Sequence, residues 1–141
     1  MKLNTKYHGI KDYYEEDVII FNKGIPGFEG LKKFILFSTE ENEMFKILHS
    51  IEDDNVGLIL TSPFTQFKDY EFNLNDEKLK ELRIISKEDV VVLNTVTLSS
   101  KLENITINLK APFIININAK IGEQIILNNE SYSIKQSLYK G

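Results

Sequence analysis

The sequence predicts a mostly β fold: a small antiparallel, barrel-like pair of packed sheets with one short helix near residues 75–83. Three observations carry that expectation. Apolar residues recur at every second position in short runs, the runs are broken by Gly, Pro, Asn and Asp, and one segment alone carries convincing helix signals. About nine or ten strands result. So many short strands in 141 residues must manage their edges by curling into a barrel or stacking as a sandwich. No compositional break divides the chain, so residues 1–141 read as a single domain.

Leu3, Thr5 and Tyr7 alternate before Gly9, and residues 18–21 form an apolar run that ends at Asn22-Lys23-Gly24. These are two strands. In Ile25-Pro26-Gly27-Phe28, Pro26 suits position i+1 of a type II turn because its φ is preset, and Gly27 suits i+2, where φ must be positive. The turn is structural, with Phe28 and Leu31 expected to anchor it in the core. Strands at 34–37, 44–50 and 56–61 follow, the last two joined by the acidic turn 52–55, and Pro63 ends the pairing.

Tyr70, Phe72 and Leu74 alternate with Asp69, Glu71 and Asn73, the pattern of a half-buried strand. Asn75 then offers an N-cap, Asp76 and Glu77 put acid in the first turn, and Leu79 and Leu82 stand three apart, which gives the helix. At barely two turns it depends on packing. Residues 90–98 are rich in β-branched side chains and long enough for a central strand. Ile105, Ile107 and Leu109 alternate with Thr106, Asn108 and Lys110. After Pro112 the device recurs as Phe113, Ile115 and Ile117 against Ile114, Asn116 and Asn118, so one face is expected in the core and the other in water. Residues 124–127 and 131–135 are expected to close as a hairpin across Asn128-Asn129-Glu130, and residues 137–141 to fray.

Composition excludes several function classes. The chain has no cysteine, which removes disulfides, thiolate zinc sites and cysteine nucleophiles. It should fold without metal or disulfide support, its apolar content of 42% being adequate for a core. The N-terminus has no apolar signal-peptide core and no run approaches a membrane span, so the expectation is a cytoplasmic protein with no membrane partner. The net charge is −4, with acidic clusters at 15–17, 40–43 and 52–54. Direct nucleic-acid binding needs the opposite sign. Acid does favour encounter with a basic protein.

Chemistry finds little to stand on. His8 and His49 fall in different predicted strands, no HxH, HxxxH or HExxH occurs, and no metal or other cofactor is expected. His49 shares a strand face with Phe45 and Ile47, which reads as a packed imidazole. A Gly-x-Ser-x-Gly elbow, a P-loop and a dinucleotide fingerprint are all missing. Asp69 and Glu71 would share one strand face about 7 Å apart, as acid–base pairs sometimes do, but a solvated charged face is the plainer reading. The chain is therefore expected to bind rather than catalyse. Candidate partner-binding residues are Asp69, Tyr70 and Glu71, where acid lines one strand face, and Asn108 and Asn116, polar positions on neighbouring apolar strands. Tyr70 also reads simply as core, because it alternates with Phe72 and Leu74.

Several motifs recur in a recognisable order: Lys6-Tyr7-His8-Gly9, then Phe21-Asn22-Lys23-Gly24-Ile25-Pro26-Gly27-Phe28-Glu29 followed by Phe34, then Phe45 to Ser50, Ser62-Pro63-Phe64 and Phe67-Lys68-Asp69-Tyr70-Glu71-Phe72. Asp89-Val90-Val91-Val92, Asn108-Leu109-Lys110-Ala111-Pro112 with Asn116, and Gly122-Glu123-Gln124 leading to Tyr132 complete the set. In order and spacing they resemble the FliW family of flagellar assembly factors over nearly the whole chain. The pattern departs from the family at Ile107, where a smaller residue is expected, and in the tail after Tyr132. The resemblance implies a non-enzymatic regulator that binds flagellin and, when free of it, binds the RNA-binding translational repressor CsrA and relieves repression of flagellin synthesis. The alternative is a generic β-barrel interaction or chaperone module with other partners.

Overall fold

The computed structural model describes residues 1–39 and 44–139. The acidic cluster at 40–43 lies outside the described residues. A two-stranded ribbon comes first: β1 (Lys2–Thr5) pairs antiparallel with β2 (Gly9–Asp12). There follow β3 (Ile19–Ile20), β4 (Lys33–Ser38), β5 (Phe45–Ser50), β6 (Gly57–Thr61), the helix α1 (Asp76–Glu81), β7 (Val90–Thr97), β8 (Thr106–Ile107), β9 (Phe113–Asn116), β10 (Ile121–Gln124) and β11 (Gln136–Ser137). Seven of these strands close a ring in the order β7, β6, β5, β4, β3, β10, β9 and back to β7. The neighbours are antiparallel except β3 and β10, which run parallel with Ile20 beside Ile121. Closure removes the exposed edges that so many short strands would otherwise present.

Register explains the interior. Leu36 faces Leu48 and Leu48 faces Leu58 across β4, β5 and β6, while Val91 faces Ile115 and Leu93 faces Phe113 across β7 and β9. Because side chains alternate with period two, these pairs all enter the barrel. They meet Phe21, Phe34 and Ile25 there, with Phe21 edge-on to Phe34 at 5.4 Å and to Phe113 at 6.0 Å. Gly122 on β10 lies under the Phe21 ring so closely that a Cβ there would come within 2.6 Å of it. A glycine at 122 is what lets this phenyl reach the centre.

The turn between β3 and β4 has the expected geometry. Phe28 N–H donates to the Ile25 carbonyl at 2.7 Å, and Gly27 has φ of +91°, as position i+2 of a type II turn requires. The anchor differs from expectation. Ile25 is buried in the barrel core with Leu31 packed against it, whereas Phe28 stands exposed at the surface.

A second core covers the outside of the barrel. Tyr70, Val96, Ile105, Ile107, Leu109, Leu127 and Leu138 are buried together, with Phe45, Ile59, Phe67, Phe72 and Tyr132 packed around them. This layer corrects several expectations. Residues 124–127 and 131–135 form no hairpin; β11 pairs with β8 instead, and Leu138 is fully buried rather than frayed, its N–H donating to the Ile105 carbonyl at 2.9 Å. Residues 70–74 keep the alternation of inward and outward side chains but join no ladder among the described residues, so they are an extended strap and not a strand. Strand β9 is covered on both faces, with Ile114 and Asn116 as buried as Phe113 and Ile115, and it is Ile117 that reaches solvent.

The helix forms as expected. Asn75 Oδ1 accepts from the Lys78 N–H at 2.8 Å, a side-chain cap on the first turn. Its end is a Schellman arrangement: Ile84 N–H donates to the Leu79 carbonyl and Arg83 N–H to the Lys80 carbonyl, with Arg83 at φ of +55°. Asn116, the buried polar residue of β9, donates through Nδ2 to the Leu82 carbonyl at 2.8 Å and the Arg83 carbonyl at 3.0 Å. Those are end-of-helix carbonyls that lack intrahelical partners. An ion cluster fixes the other side: Lys78 reaches Glu123 at 2.6 Å and Glu81 at 2.9 Å, and Lys23 lies against both carboxylates. Burial works against the Lys78 charge, but its hydrogen bonds to Glu123 and Glu81 outweigh this and hold its pKa above the usual lysine value.

Candidate partner-binding surface

The strap of residues 67–74 crosses the outer face of β7, held by its inward side chains. Phe67 N–H bonds to the Pro63 carbonyl and Tyr70 N–H to the Phe67 carbonyl, so two consecutive turns aim Tyr70 inward. The Tyr70 hydroxyl donates to the Leu109 carbonyl at 2.7 Å and accepts from Asn94 Nδ2 at 3.2 Å, while the same Asn94 amide also donates to the Asn108 carbonyl at 2.8 Å. Burial pushes the Tyr70 phenol up to about 12, the Asn94 hydrogen bond working in the opposite direction. It stays a neutral hydrogen-bonding group. With Tyr70 pinned, alternation turns Glu71 and Asn73 outward into solvent, and Asp69 is exposed in the turn before them.

Between the strap, α1 and β7 lies a groove of about 660 Å³. Its apolar lining includes Phe64, Phe72, Leu74, Leu79, Ile84 and Ile85. The Schellman end of α1 builds one wall, because that motif brings the residue after the left-handed position back against the last turn, here Ile84 against Leu79. Ile85 is 95% exposed and Phe64 44% exposed. A concentration of exposed large apolar side chains in one depression marks an interaction surface more often than an isolated exposed residue does. Glu71 on the strap and Lys87 after the helix are the charged residues that line it. On the far side of the strap a second, more polar depression of about 480 Å³ is lined by Glu71, Asn73, Asn128, Asn129 and Tyr132.

The sequence-predicted site residues divide into two places. Asp69, Tyr70, Glu71 and Asn108 come together: the first three on the strap, and Asn108 beneath it through its carbonyl to Asn94 and its Oδ1, which accepts from Lys110 and Ala111 N–H. Asn116 lies elsewhere, 1% exposed under the end of α1, its Oδ1 accepting from Asn118 and Ala119 N–H. Tyr70 and Asn116 thus turn their polar atoms inward and shape the surface from below, while Asp69 and Glu71 lie on it. Sequence reasoning missed Phe64 and Ile85 as surface groups. The one available signal was Ile84-Ile85, which continues the apolar spacing of a helix that has already ended.

Other perturbed groups have local structural causes. Asp89 caps a 3-10 turn by accepting from Ser86 and Ile85 N–H and also accepts from Asn118 Nδ2 at 2.6 Å; the Ser86 N–H and Asn118 hydrogen bonds lead in holding its carboxyl below the usual range. His8 sits in the turn between β1 and β2 rather than in a strand, with its ring edge-on to Phe37 at 5.9 Å. His49 is buried, its Nδ1 2.8 Å from the Ser50 carbonyl oxygen. Among the described residues no group of three or more His, Asp or Glu is placed to hold a metal ion, and no helix is long and apolar enough to cross a membrane.

A closed ring of seven strands, overlaid by a second core and an apolar groove, defines a small, mostly β, barrel-like protein. The family is specific: the chain belongs to the FliW protein family, whose model matches residues 2–138. It is 62% identical over 141 residues to the flagellar assembly factor FliW of Clostridium kluyveri, covering 100% of this chain and 97% of that protein. It is 62% identical to the FliW of Clostridium novyi and 57% to that of Clostridium botulinum strain Langeland, in each case over 99% of this chain and 98% of the relative. A crystal structure of the flagellar assembly factor FliW superposes with a TM-score of 0.92 at 37% identity, covering 100% of this chain and 99% of that one. The family resemblance and the mostly β, barrel-like fold read from the sequence are both borne out.

Proposed function

We propose that this chain is a cytoplasmic, non-enzymatic flagellar assembly factor that binds flagellin and, when flagellin is exported, binds CsrA and frees the flagellin message for translation. Family membership makes a role in flagellar assembly the starting point. The observation that carries the finer reading is the strap: it offers apolar area in the groove beside two outward acids, Asp69 and Glu71, on a chain of net charge −4. An RNA-binding repressor presents basic surface, and complementary charge speeds encounter while apolar contact slows release. The same acidic balance argues that the protein acts on the repressor and not on RNA.

The experiment is a gel-shift titration. Adding the protein to a preformed complex of CsrA and flagellin message is expected to release the RNA, while the protein alone binds none at moderate salt. Flagellin is expected to reverse the release, because two ligands that exclude one another each lower the other's apparent affinity by the same factor. Steering weakens as salt shortens the Debye length from about 10 Å at 0.1 M to about 3 Å at 1 M. Charge reversal at Asp69 and Glu71 then slows association and leaves the barrel folded. If CsrA keeps its RNA at every concentration, or if flagellin and CsrA bind together with unchanged affinities, the regulatory reading is wrong and a generic β-barrel interaction or chaperone module is left.

A further inference from the structure

Asp69 lies in the turn closed by the Tyr70 N–H, and the backbone that follows through Glu71 alternates like a strand, yet it joins no ladder among the described residues. One side chain supplies what a neighbouring strand would. The Tyr132 hydroxyl accepts from the Glu71 N–H at 3.0 Å and donates to the Glu71 carbonyl at 3.1 Å. Both bonds to a single residue are what an antiparallel partner gives at a hydrogen-bonded pair. Here a phenol takes the place of the partner backbone.

Tyr132 is itself held in position. Its ring lies 4.7 Å from that of Tyr70, its N–H donates to the Asn129 carbonyl, and Asn129 Oδ1 accepts from the Ser131 N–H at 2.8 Å. The carbonyl of Ser133, the next residue, accepts from the Leu109 N–H at 3.0 Å. Leu109 is also where the Tyr70 hydroxyl bonds. The phenol is therefore fixed to the same buried segment that pins the strap from below.

We propose that Tyr132 is a positioning residue for the acidic strap: its hydroxyl clamps the Glu71 peptide and so sets the directions in which Asp69 and Glu71 meet a basic partner. The proposal rests on the reading of that strap as the CsrA-binding surface. Without the clamp the peptide groups of Glu71 have only water, and the strap gains freedom that binding must remove. Preorganisation of this kind raises affinity by lowering the ordering cost of association.

The test uses Tyr132→Phe, which keeps the ring and removes the hydroxyl. Amide exchange measured by NMR is expected to speed up at Glu71 by about tenfold or more, with β7 and β9 amides unchanged. Association with purified CsrA is expected to weaken by about three- to tenfold. The same substitution is then placed in an Asp69→Ser/Glu71→Gln background, where it is expected to add nothing further, since a residue acting through the acids has no effect once they are neutral. An unchanged Glu71 exchange rate, wild-type affinity in Tyr132→Phe, or an equal loss in both backgrounds overturns the proposal. If the wild-type chain fails to bind CsrA at all, the partner reading falls first, and the positioning role falls with it.

Discussion

Gly24 and Gly27 both have positive φ in the turn that carries the chain from β3 to β4, but they differ in what surrounds them. At Gly27 a Cβ would meet nothing within 4 Å, so any substitution there is penalised by the backbone alone. At Gly24 a Cβ would come within 2.5 Å of the Glu29 carbonyl oxygen and 2.8 Å of its Cα, so strain and a backbone clash add together. A non-glycine residue in the left-handed region costs roughly 1–2 kcal/mol, and a β-branched one at such a position roughly 1–3 kcal/mol. For a domain of this length each kcal/mol shifts the melting temperature by about 2–4 °C. Gly27→Ala is therefore expected to melt a few degrees lower, Gly27→Val about 2–12 °C lower, and Gly24→Ala further below wild type than Gly27→Ala. Thermal melts followed by circular dichroism give all three values under one condition. A Gly27→Val melting temperature equal to wild type, or a Gly24→Ala protein as stable as Gly27→Ala, would refute the division into strain and clash.

Four further outcomes are expected. Asn75→Ala removes the side-chain cap of α1 and should cost about 1 kcal/mol, with faster amide exchange confined to residues 76–82. Arg83→Gly relieves a non-glycine residue at φ of +55° and should raise stability by about 1 kcal/mol; a lower denaturant midpoint would count against the assignment. Leu138→Ala empties a fully buried position in the second core and should cost about 2–5 kcal/mol, whereas a frayed tail would tolerate it. His8 has a pKa below the usual histidine value because burial disfavours the charged ring, with His49 and Lys11 adding to the effect. Such a group binds its proton more readily in the unfolded chain, so stability is full above the unfolded value of about 6.5 and declines as pH falls through the folded one. His8→Gln should flatten the fall in melting temperature between pH 7 and pH 5, and an identical slope in both proteins would remove His8 from the account.

What the sequence made legible follows from what alternation reports. Period two says which side chains of a segment share a face, and it placed Phe113 and Ile115 in the core, where they lie with Phe113 opposite Leu93 and Ile115 opposite Val91. It does not say which segment lies alongside. For residues 70–74 the inward face is right, but the neighbour is a tyrosine hydroxyl 61 residues away and not a strand. Strand β9 was misread for a related reason. A polar residue on an outward face looks wet in sequence, yet Asn116 is buried because the carbonyls at the end of α1 need its amide. The expected hairpin at 128–130 had suitable turn residues, but its arms bond to the 109–112 segment instead, Ile125 and Leu127 N–H donating to the Pro112 and Lys110 carbonyls and Leu109 N–H to the Ser133 carbonyl. Of the candidate surface, the acids at 69 and 71 were legible as an outward pair, while Phe64 and Ile85 depended on where the strap, α1 and β7 meet.

The structure also separates the surface from the barrel in a way that bears on how the two can change. The ring of seven strands is tied by ladder hydrogen bonds and filled by its own phenyl and aliphatic core. The strap is tied by side chains: Tyr70 to Leu109, Tyr132 to Glu71, and Phe72 within the second cluster. Order that depends on a few side-chain bonds over exposed backbone lies at the low-stability end of a protein's range, which is where binding segments are commonly found. On the proposed reading, substitutions at Asp69, Glu71 or Tyr132 therefore alter recognition while the ring stays closed. Substitutions at Phe21 or Phe113 cannot act on the strap without first loosening the barrel on which it lies. That asymmetry makes binding measured against melting temperature the natural way to separate the two, with strap variants moving the first alone and barrel variants moving both.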